Sequence, residues 1–196
     1  MKWRGFLVVC VFGAVTWAPT FVSFADEGVR ELSRYAVAYE GPEIEAAVRF
    51  RQAQRDIGEQ WLILMVQMVG STKSGVSTID RSAFTLISPD GKRLRLVTQN
   101  EFREVYGLLH TRVRRAVDGA PPFRSYKGNI RRCTRWFLAK PGGGFAVDEL
   151  YVSNFEECSG PLVFNVPNGI QPGRWRLIVD LEESRADIPF ELFAEE

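Results

Sequence analysis

Few side chains in this sequence are suited to catalysis. His110 is the only histidine, and it lies beside Leu109 in a stretch of helical periodicity. A nucleophilic serine or cysteine needs a base within hydrogen-bond reach on another element, and no nucleophile-elbow motif accompanies this histidine. We therefore interpret His110 as a helical residue without a catalytic role, and we predict no catalytic residues.

Metal and phosphate sites are not predicted either. Zinc needs three or four nitrogen or sulfur ligands, and the chain holds one histidine and three cysteines. The glycines at 142–144 lack the strand-to-helix context and the lysine of a phosphate loop. Loop carboxylates near Asp148, Glu156 and Glu157 leave calcium open as an alternative, without a known loop signature. We predict no cofactor and no metal.

Three pairs of adjacent carboxylates raise the possibility of hydrolysis: Asp148-Glu149, Glu156-Glu157 and Glu182-Glu183. Glycosidases need two carboxyls that face each other across a sugar. Adjacent residues of a strand point to opposite faces, so none of these pairs meets that need alone. Two carboxyls from separate loops remain an alternative, and a pocket holding two of them about 5–9 Å apart would favour it.

The first 25 residues are typical of a secretory signal peptide. Lys2 and Arg4 precede an apolar stretch, and the small residues Ser23 and Ala25 stand where a signal peptidase requires them. We expect cleavage after Ala25 and a periplasmic or extracellular protein with no remaining transmembrane segment. An uncleaved membrane anchor is the alternative, although Pro19 shortens the apolar core.

Removal of residues 1–25 changes the charge and the cysteine count. Two basic residues and no acid are lost, so the net charge of +1 becomes −1. Cys10 is lost as well, which leaves Cys133 and Cys158. An even pair in an oxidising compartment predicts a disulfide; two buried free thiols are the alternative.

Most of the remaining chain has the character of short strands separated by turn residues. Two hairpins are predicted, one with its turn at 88–92 and one at 140–144, while 70–80 is predicted as a loop. The segment 46–53 fits a strand, with a helix as its competitor. The segments with strand character are 33–39, 46–53, 61–69, 83–87, 93–97, 134–139, 145–153, 161–166, 174–181 and 188–193.

One helix is predicted over 101–118. Apolar residues recur at spacings of three and four from Phe102 to Val113, and Asn100 is the expected N-terminal cap. Gly119 and the prolines that follow end the helix. We predict a single domain over 26–196, with a helix-and-loop insertion at about 98–132.

The predicted fold is mainly β: an antiparallel two-sheet sandwich of about 7–9 strands with one inserted amphipathic helix. The segment Ile170-Gln171-Pro172-Gly173-Arg174-Trp175 resembles the entry to a late strand in exported bacterial immunoglobulin-like domains. This resemblance implies an immunoglobulin-like sandwich and does not identify a function. The family places a tyrosine where this chain has Trp175, whose indole N–H can donate instead.

Charge is distributed unevenly along the chain. Nine basic residues and one acid between Arg112 and Lys140 give +8, and three arginines against eleven acids from Phe145 onward give −8. Neutralisation across neighbouring strands is one interpretation. The other is a basic, aromatic face for an anionic partner. The residues predicted to form that face are Arg114, Arg115, Tyr126, Arg131, Arg132 and Trp136.

These features favour an exported, non-enzymatic binding or accessory module. Its expected partner is an acidic protein, a glycan or a lipid head group, and the expected compartment argues against nucleic acid. The alternative is a hydrolase of envelope or extracellular polymers that uses loop carboxylates.

Overall fold

A computed structural model of the chain describes residues 28–118 and 131–194. The predicted signal peptide, 1–25, lies outside the described residues. Two helices are described, α1 (Arg51–Arg55) and α2 (Gln99–Asp118), and a 3-10 turn spans Arg81–Ala83. The described strands are β1 (Val29–Ser33), β2 (Ala36–Glu40), β3 (Ile44–Arg49), β4 (Trp61–Gly70), β5 (Ser77–Asp80), β6 (Phe84–Ile87), β7 (Arg93–Arg95), β8 (Arg131–Arg132), β9 (Glu149–Val152), β10 (Glu156–Asn165), β11 (Gly173–Asp180) and β12 (Arg185–Leu192).

The strands form sheets that pack as a sandwich. The larger sheet has the order β1-β2-β3-β4-β10-β8, and the smaller has the order β12-β11-β6-β7. The expectation of a mainly β sandwich is therefore confirmed. The structure adds a separate two-stranded sheet, β5-β9, and one parallel pair, β8 with β10.

Strand β4 is the centre of the larger sheet. It pairs with β3 on one side and with β10 on the other, and Leu62, Ile63 and Leu64 are fully buried. A strand covered on both faces needs apolar residues in succession, which explains the continuous apolar run from Trp61. Aromatic rings join the two sheets, since Phe50 stacks on Phe190 of β12 with ring centroids 5.0 Å apart.

The segment 46–53, for which a strand and a helix were alternative predictions, contains part of a strand and part of a helix. Strand β3 ends at Arg49, and α1 begins at Arg51. The helical turn is stabilised because the buried Gln52 side chain donates to Asp56, four residues on, at 2.9 Å. Upstream, the predicted strand 33–39 is replaced by the antiparallel pair β1-β2.

One predicted hairpin is confirmed and the other is wrong. Strands β6 and β7 pair as expected, with Gly91 at φ +81° in the turn. The segment 134–139 forms no strand; Trp136 makes only an isolated parallel bridge to Ala146. Strand β9 lies in the segment that was expected to pair with 134–139, but it pairs with β5 instead. Strand β5 lies inside 70–80, which is predicted as a loop.

Helix α2 begins with a capping box in place of the predicted cap at Asn100. Thr98, and not Asn100, precedes the first helical residue. The Glu101 carboxylate accepts the Thr98 backbone N–H at 2.7 Å, and the Thr98 hydroxyl accepts the Glu101 backbone N–H at 3.2 Å. The Thr-x-x-Glu spacing satisfies two unpaired backbone donors at once and was available in the sequence.

Trp175 anchors the turn before β11. Its side chain is fully buried, and its indole N–H donates to the carbonyl of Gln171 at 2.9 Å. The donor role expected of this tryptophan is therefore confirmed. Pro189 lies in β12, which is an edge strand, as expected for a residue without a backbone donor.

Candidate functional site

Arg112 of the basic segment is used inside the fold. Its guanidinium lies 2.7 Å from Asp56 and donates to the carbonyl of Trp61 at 2.7 Å. The exposed fractions of the Arg112 and Asp56 side chains are only 16% and 10%. This pair fastens the C-terminal half of α2 to α1 and to the start of β4, so Arg112 does not belong to a free basic surface.

Arg114 and Arg115 are exposed on the last turns of α2. Arg114 forms an exposed ion pair with Asp118 at 3.2 Å. Such a pair is screened by water and contributes little to stability. Both arginines therefore remain accessible to a partner.

Arg131 and Arg132 form the short edge strand β8. They stand opposite Glu156 and Glu157 in the parallel register with β10. Opposite charges in register neutralise each other locally. This register agrees with neutralisation across strands, one of the two interpretations of the charge pattern, although no ion pair within 4 Å links the side chains of β8 and β10 among the described residues.

Among the described residues, the C-terminal half of α2 and strand β8 lie at opposite ends of β10. Arg112 holds α2 at Trp61, which is opposite Asn165 of β10, whereas Arg131 is opposite Glu156. These two positions on β10 are nine residues apart, about 30 Å at the usual rise of a strand. Tyr126 lies outside the described residues.

Trp136 is a core residue and contributes no surface to such a face. Its exposed fraction is 7%, and its indole N–H donates to the carbonyl of Pro161 at 2.7 Å. The ring lies directly over Gly160, where an added Cβ would be 2.4 Å from three ring atoms. Sequence alone did not distinguish this buried aromatic from an exposed one.

The two cysteines predicted to pair lie at disulfide distance. The Cα atoms of Cys133 and Cys158 are 4.7 Å apart, within the usual range for a disulfide. The Cys133 backbone N–H also donates to the carbonyl of Glu157 at 2.8 Å. The pair therefore fastens the chain after β8 to the start of β10.

His110 is exposed on α2, where the sequence placed it. Its Nδ1 lies 2.9 Å from the Gly107 carbonyl, and its Nε2 lies 3.1 Å from the Thr111 hydroxyl. Both neighbours belong to the same helix, so the geometry around this histidine is local.

A cleft of about 540 Å³ lies where the first turn of α2 meets the segment that precedes β9. We call it the basic cleft. Three of its cationic or aromatic residues, Arg103, Lys140 and Phe145, reach solvent. Its lining includes Arg81, Gln99, Arg103, Lys140, Phe145 and Asp148.

Arg81 forms the floor of the basic cleft and is 13% exposed. Its guanidinium donates to the carbonyls of Val97, Phe137 and Val147 at 3.0, 2.6 and 3.1 Å. It also pairs with Asp148 at 2.9 Å. One partly buried side chain thus joins three separate segments and holds the cleft walls in place.

Gln99 fixes the wall formed by α2. Its side-chain amide donates to the carbonyl of Ala139 at 2.8 Å and accepts the Ala139 N–H at 2.9 Å. This two-point contact imitates a pair of backbone hydrogen bonds. It ties the first turn of α2 to the residue before Lys140.

Lys140 and Arg103 give the basic cleft its charge. The Lys140 stem lies across Gly143, since an added Cβ there would be 2.4 Å from Lys140 Cε. Within 28–118 and 131–194, neither cation has an acidic side chain within ion-pair distance. Phe145 adds a ring that is 88% exposed.

Sequence reasoning missed most of the basic cleft. Lys140 belongs to the basic segment and Phe145 begins the predicted strand 145–153, whereas Arg103 lies within the predicted helix 101–118 and carries no signal of its own. Arg81 lies 59 residues before Lys140 in the chain. No spacing rule connects residues that far apart, so only the cationic character of Lys140 was a usable signal.

A second cavity of about 410 Å³ shares Arg81 and Asp148 with the basic cleft. It is also lined by Asp80 and Glu149, which stand opposite each other in the β5-β9 register. Directly opposed strand residues have Cβ atoms about 4.5–5.5 Å apart. Two carboxylates from different strands therefore line one cavity, which is the kind of arrangement that glycosidase chemistry needs.

Two kinds of site are not found in the part of the chain that the structure describes. No group of three or more histidine, cysteine, aspartate or glutamate side chains is arranged to hold a metal ion. No helix in 28–118 or 131–194 combines the length and the apolar character needed to cross a membrane.

Comparison of the chain with protein-family models, with curated proteins and with solved structures finds no match.

Proposed function

We propose that this protein is an exported, non-enzymatic binding module that holds an anionic partner in the basic cleft. The observation that carries the proposal is the pair Arg103 and Lys140. Both line one cavity beside an exposed aromatic ring, and neither has a described acidic partner. Unpaired cations in a concave site attract and orient anions more strongly than the same charges on a convex surface.

We also propose that the sandwich is immunoglobulin-like and that the protein is exported. The corner formed by Trp175 and Gln171 supports the first, because a buried ring donates back to the backbone just upstream, as the tyrosine does in that family. Cys133 and Cys158 at disulfide distance support the second, because disulfides persist in oxidising compartments.

Retention on immobilised heparin tests the proposal. We expect wild-type protein to elute above about 0.15 M salt, the physiological ionic strength, and Arg103→Ala/Lys140→Ala to elute clearly earlier. The matched control, Arg114→Ala/Arg115→Ala, removes the same charge from a surface that begins eleven residues further along α2, about 17 Å away. A larger loss of retention in the control would move the anion site to the end of the helix and contradict the proposal.

A hydrolase remains the second candidate, and the opposed pair Asp80 and Glu149 favours it. One carboxyl would protonate the leaving oxygen of a glycosidic bond while the other attacks or activates water. Release of new reducing ends from an extracellular polysaccharide, lost in Asp80→Asn and in Glu149→Gln, would establish it. Unchanged release of reducing ends by both variants would exclude Asp80 and Glu149 as catalytic residues.

A further inference from the structure

We infer that the ligand of the basic cleft is an acidic saccharide, one that carries carboxylate or sulfate groups on its sugar rings. This inference rests on the proposed anion-binding function and adds the chemical class of the ligand. It follows from three kinds of group that the cleft presents together: two cations, one apolar ring and one carboxylate.

The cations require negative charge on the ligand. Arg103 and Lys140 belong to different segments, the first turns of α2 and the turn before β9. Arg81 adds positive charge from below, but Asp148 already pairs with it. A ligand with anionic groups on neighbouring units can satisfy Arg103 and Lys140 together.

The exposed ring of Phe145 favours a ligand that has an apolar surface. Phe145 is 88% exposed at the cleft, although its neighbour Ala146 is partly buried. The C–H face of a pyranose ring packs flat on an aromatic side chain and removes apolar surface from water. A purely inorganic anion gains nothing from this ring.

The carboxylate of Asp148 favours a ligand that carries hydrogen-bond donors. Asp148 uses Oδ1 to accept from Arg81 at 2.9 Å, and its Oδ2 has no donor among the described residues. The side chain is 88% exposed. Sugar hydroxyls can donate to such an oxygen, whereas a phosphate or sulfate placed against it is repelled.

The size of the basic cleft agrees with a ligand of a few rings. Its volume of about 540 Å³ lies within the range of small-molecule sites, about 300–1,000 Å³. A nucleotide also combines an anion with a ring, but it offers fewer hydroxyls to Asp148. We therefore treat a nucleotide as an outcome to be tested and not as the proposal.

Calorimetric titration of the full chain tests the inference with four probes: digalacturonic acid, lactose, adenosine 5′-monophosphate and sodium sulfate. We expect digalacturonic acid to bind more tightly than each of the other three. Phe145→Ala should weaken the binding of digalacturonic acid by about tenfold, which is the loss of affinity that corresponds to one aromatic packing contact. Arg103→Ala/Lys140→Ala should weaken it by at least as much, and Arg114→Ala/Arg115→Ala should leave it unchanged.

The outcomes separate this inference from the proposed function. If sulfate binds as tightly as digalacturonic acid and Phe145→Ala has no effect, anion binding stands and the saccharide class is wrong. Tighter binding of the nucleotide replaces the saccharide by a nucleotide. Binding by none of the probes overturns the inference, while the heparin comparison still decides whether the basic cleft holds an anionic polymer. Thermal unfolding of each variant confirms that it is folded.

Discussion

Glu101 illustrates how much one side chain contributes at the start of α2. Its carboxylate accepts the Thr98 backbone N–H at 2.7 Å and the Arg95 guanidinium at 2.8 Å. The hydrogen bond from Arg95, with the Thr98 backbone hydrogen bond second, lowers the pKa of Glu101 to about 2. The wall of the basic cleft begins at the neighbouring Gln99, so this cap also positions the cleft.

This pKa has a consequence for stability at low pH. Because the folded value, about 2, is below the ordinary value of 4.5, the stabilisation is fully present above pH 4.5. It is lost as the pH falls toward 2. We expect wild type to be more stable than Glu101→Gln at pH 7 by less than about 1 kcal/mol, because the pair is exposed.

Thermal unfolding of wild type and Glu101→Gln between pH 7 and pH 2 measures the effect. Glutamine keeps an acceptor for the Thr98 N–H, so the comparison isolates the charge. The gap in unfolding free energy should close between pH 4.5 and 2. Glu104→Gln, which removes an equal charge from the same helix, is the control and should show a smaller gap. A Glu101→Gln gap that stays constant down to pH 2 would contradict this account.

At the scale of elements, Gly160 lets a segment without regular structure pack onto β10. Trp136 lies flat over this glycine and donates to the carbonyl of Pro161 at 2.7 Å. A side chain at position 160 would occupy the volume of the indole ring. The segment that leads into the basic cleft is therefore held on the sheet by one aromatic side chain and one missing Cβ.

We expect Gly160→Ala to destabilise the protein by about 1–3 kcal/mol, the cost of overpacking a tight contact. The added Cβ would be 2.4 Å from three atoms of the Trp136 ring, and the buried ring has little room to move. Urea unfolding gives the difference. Gly75→Ala, where nothing lies within 4 Å of the added Cβ, is the control and should change stability by less than about 0.5 kcal/mol. Equal midpoints for the two variants would refute the tight contact.

At the scale of the whole molecule, the Cys133–Cys158 pair encloses the segment that carries the basic cleft. The two cysteines are 25 residues apart in the chain, and Lys140, Phe145 and Asp148 all lie between them. A covalent link there limits the conformations of this segment in the unfolded chain. A bond between them would therefore stabilise the fold that holds the basic cleft in place.

Removal of the link should lower the free energy of unfolding by about 3 kcal/mol in the chain-entropy account. We expect Cys133→Ala/Cys158→Ala to unfold at lower urea concentration than wild type without reductant. Added dithiothreitol should bring wild type close to the variant and leave the variant unchanged. An intact mass about 2 Da below that of the reduced chain would show the bond directly. Identical urea midpoints with and without reductant would argue against a stabilising link.

Local structure followed from the sequence where short-range physics decides it. The apolar run of β4 and the Pro-Asp-Gly turn between β6 and β7 predicted those elements, because periodicity and turn chemistry act over a few residues. The even number of cysteines expected after signal cleavage predicted a pairing of Cys133 with Cys158, and the structure places the two at disulfide distance. Thr98 and Glu101 carry a local signal as well, and the predicted cap at Asn100 lies two residues after the observed one.

The sequence by itself determined a β-rich chain, a single long helix and a segment of unusual positive charge. The tertiary structure decided what that charge does: Arg112 is partly buried against Asp56, Arg131 stands opposite Glu156, and Lys140 lines a cleft with Arg103. The surroundings of each basic residue are set by which strands and helices pack together to bury the apolar core. That packing joins residues far apart in the chain, and no local pattern of residue types encodes it.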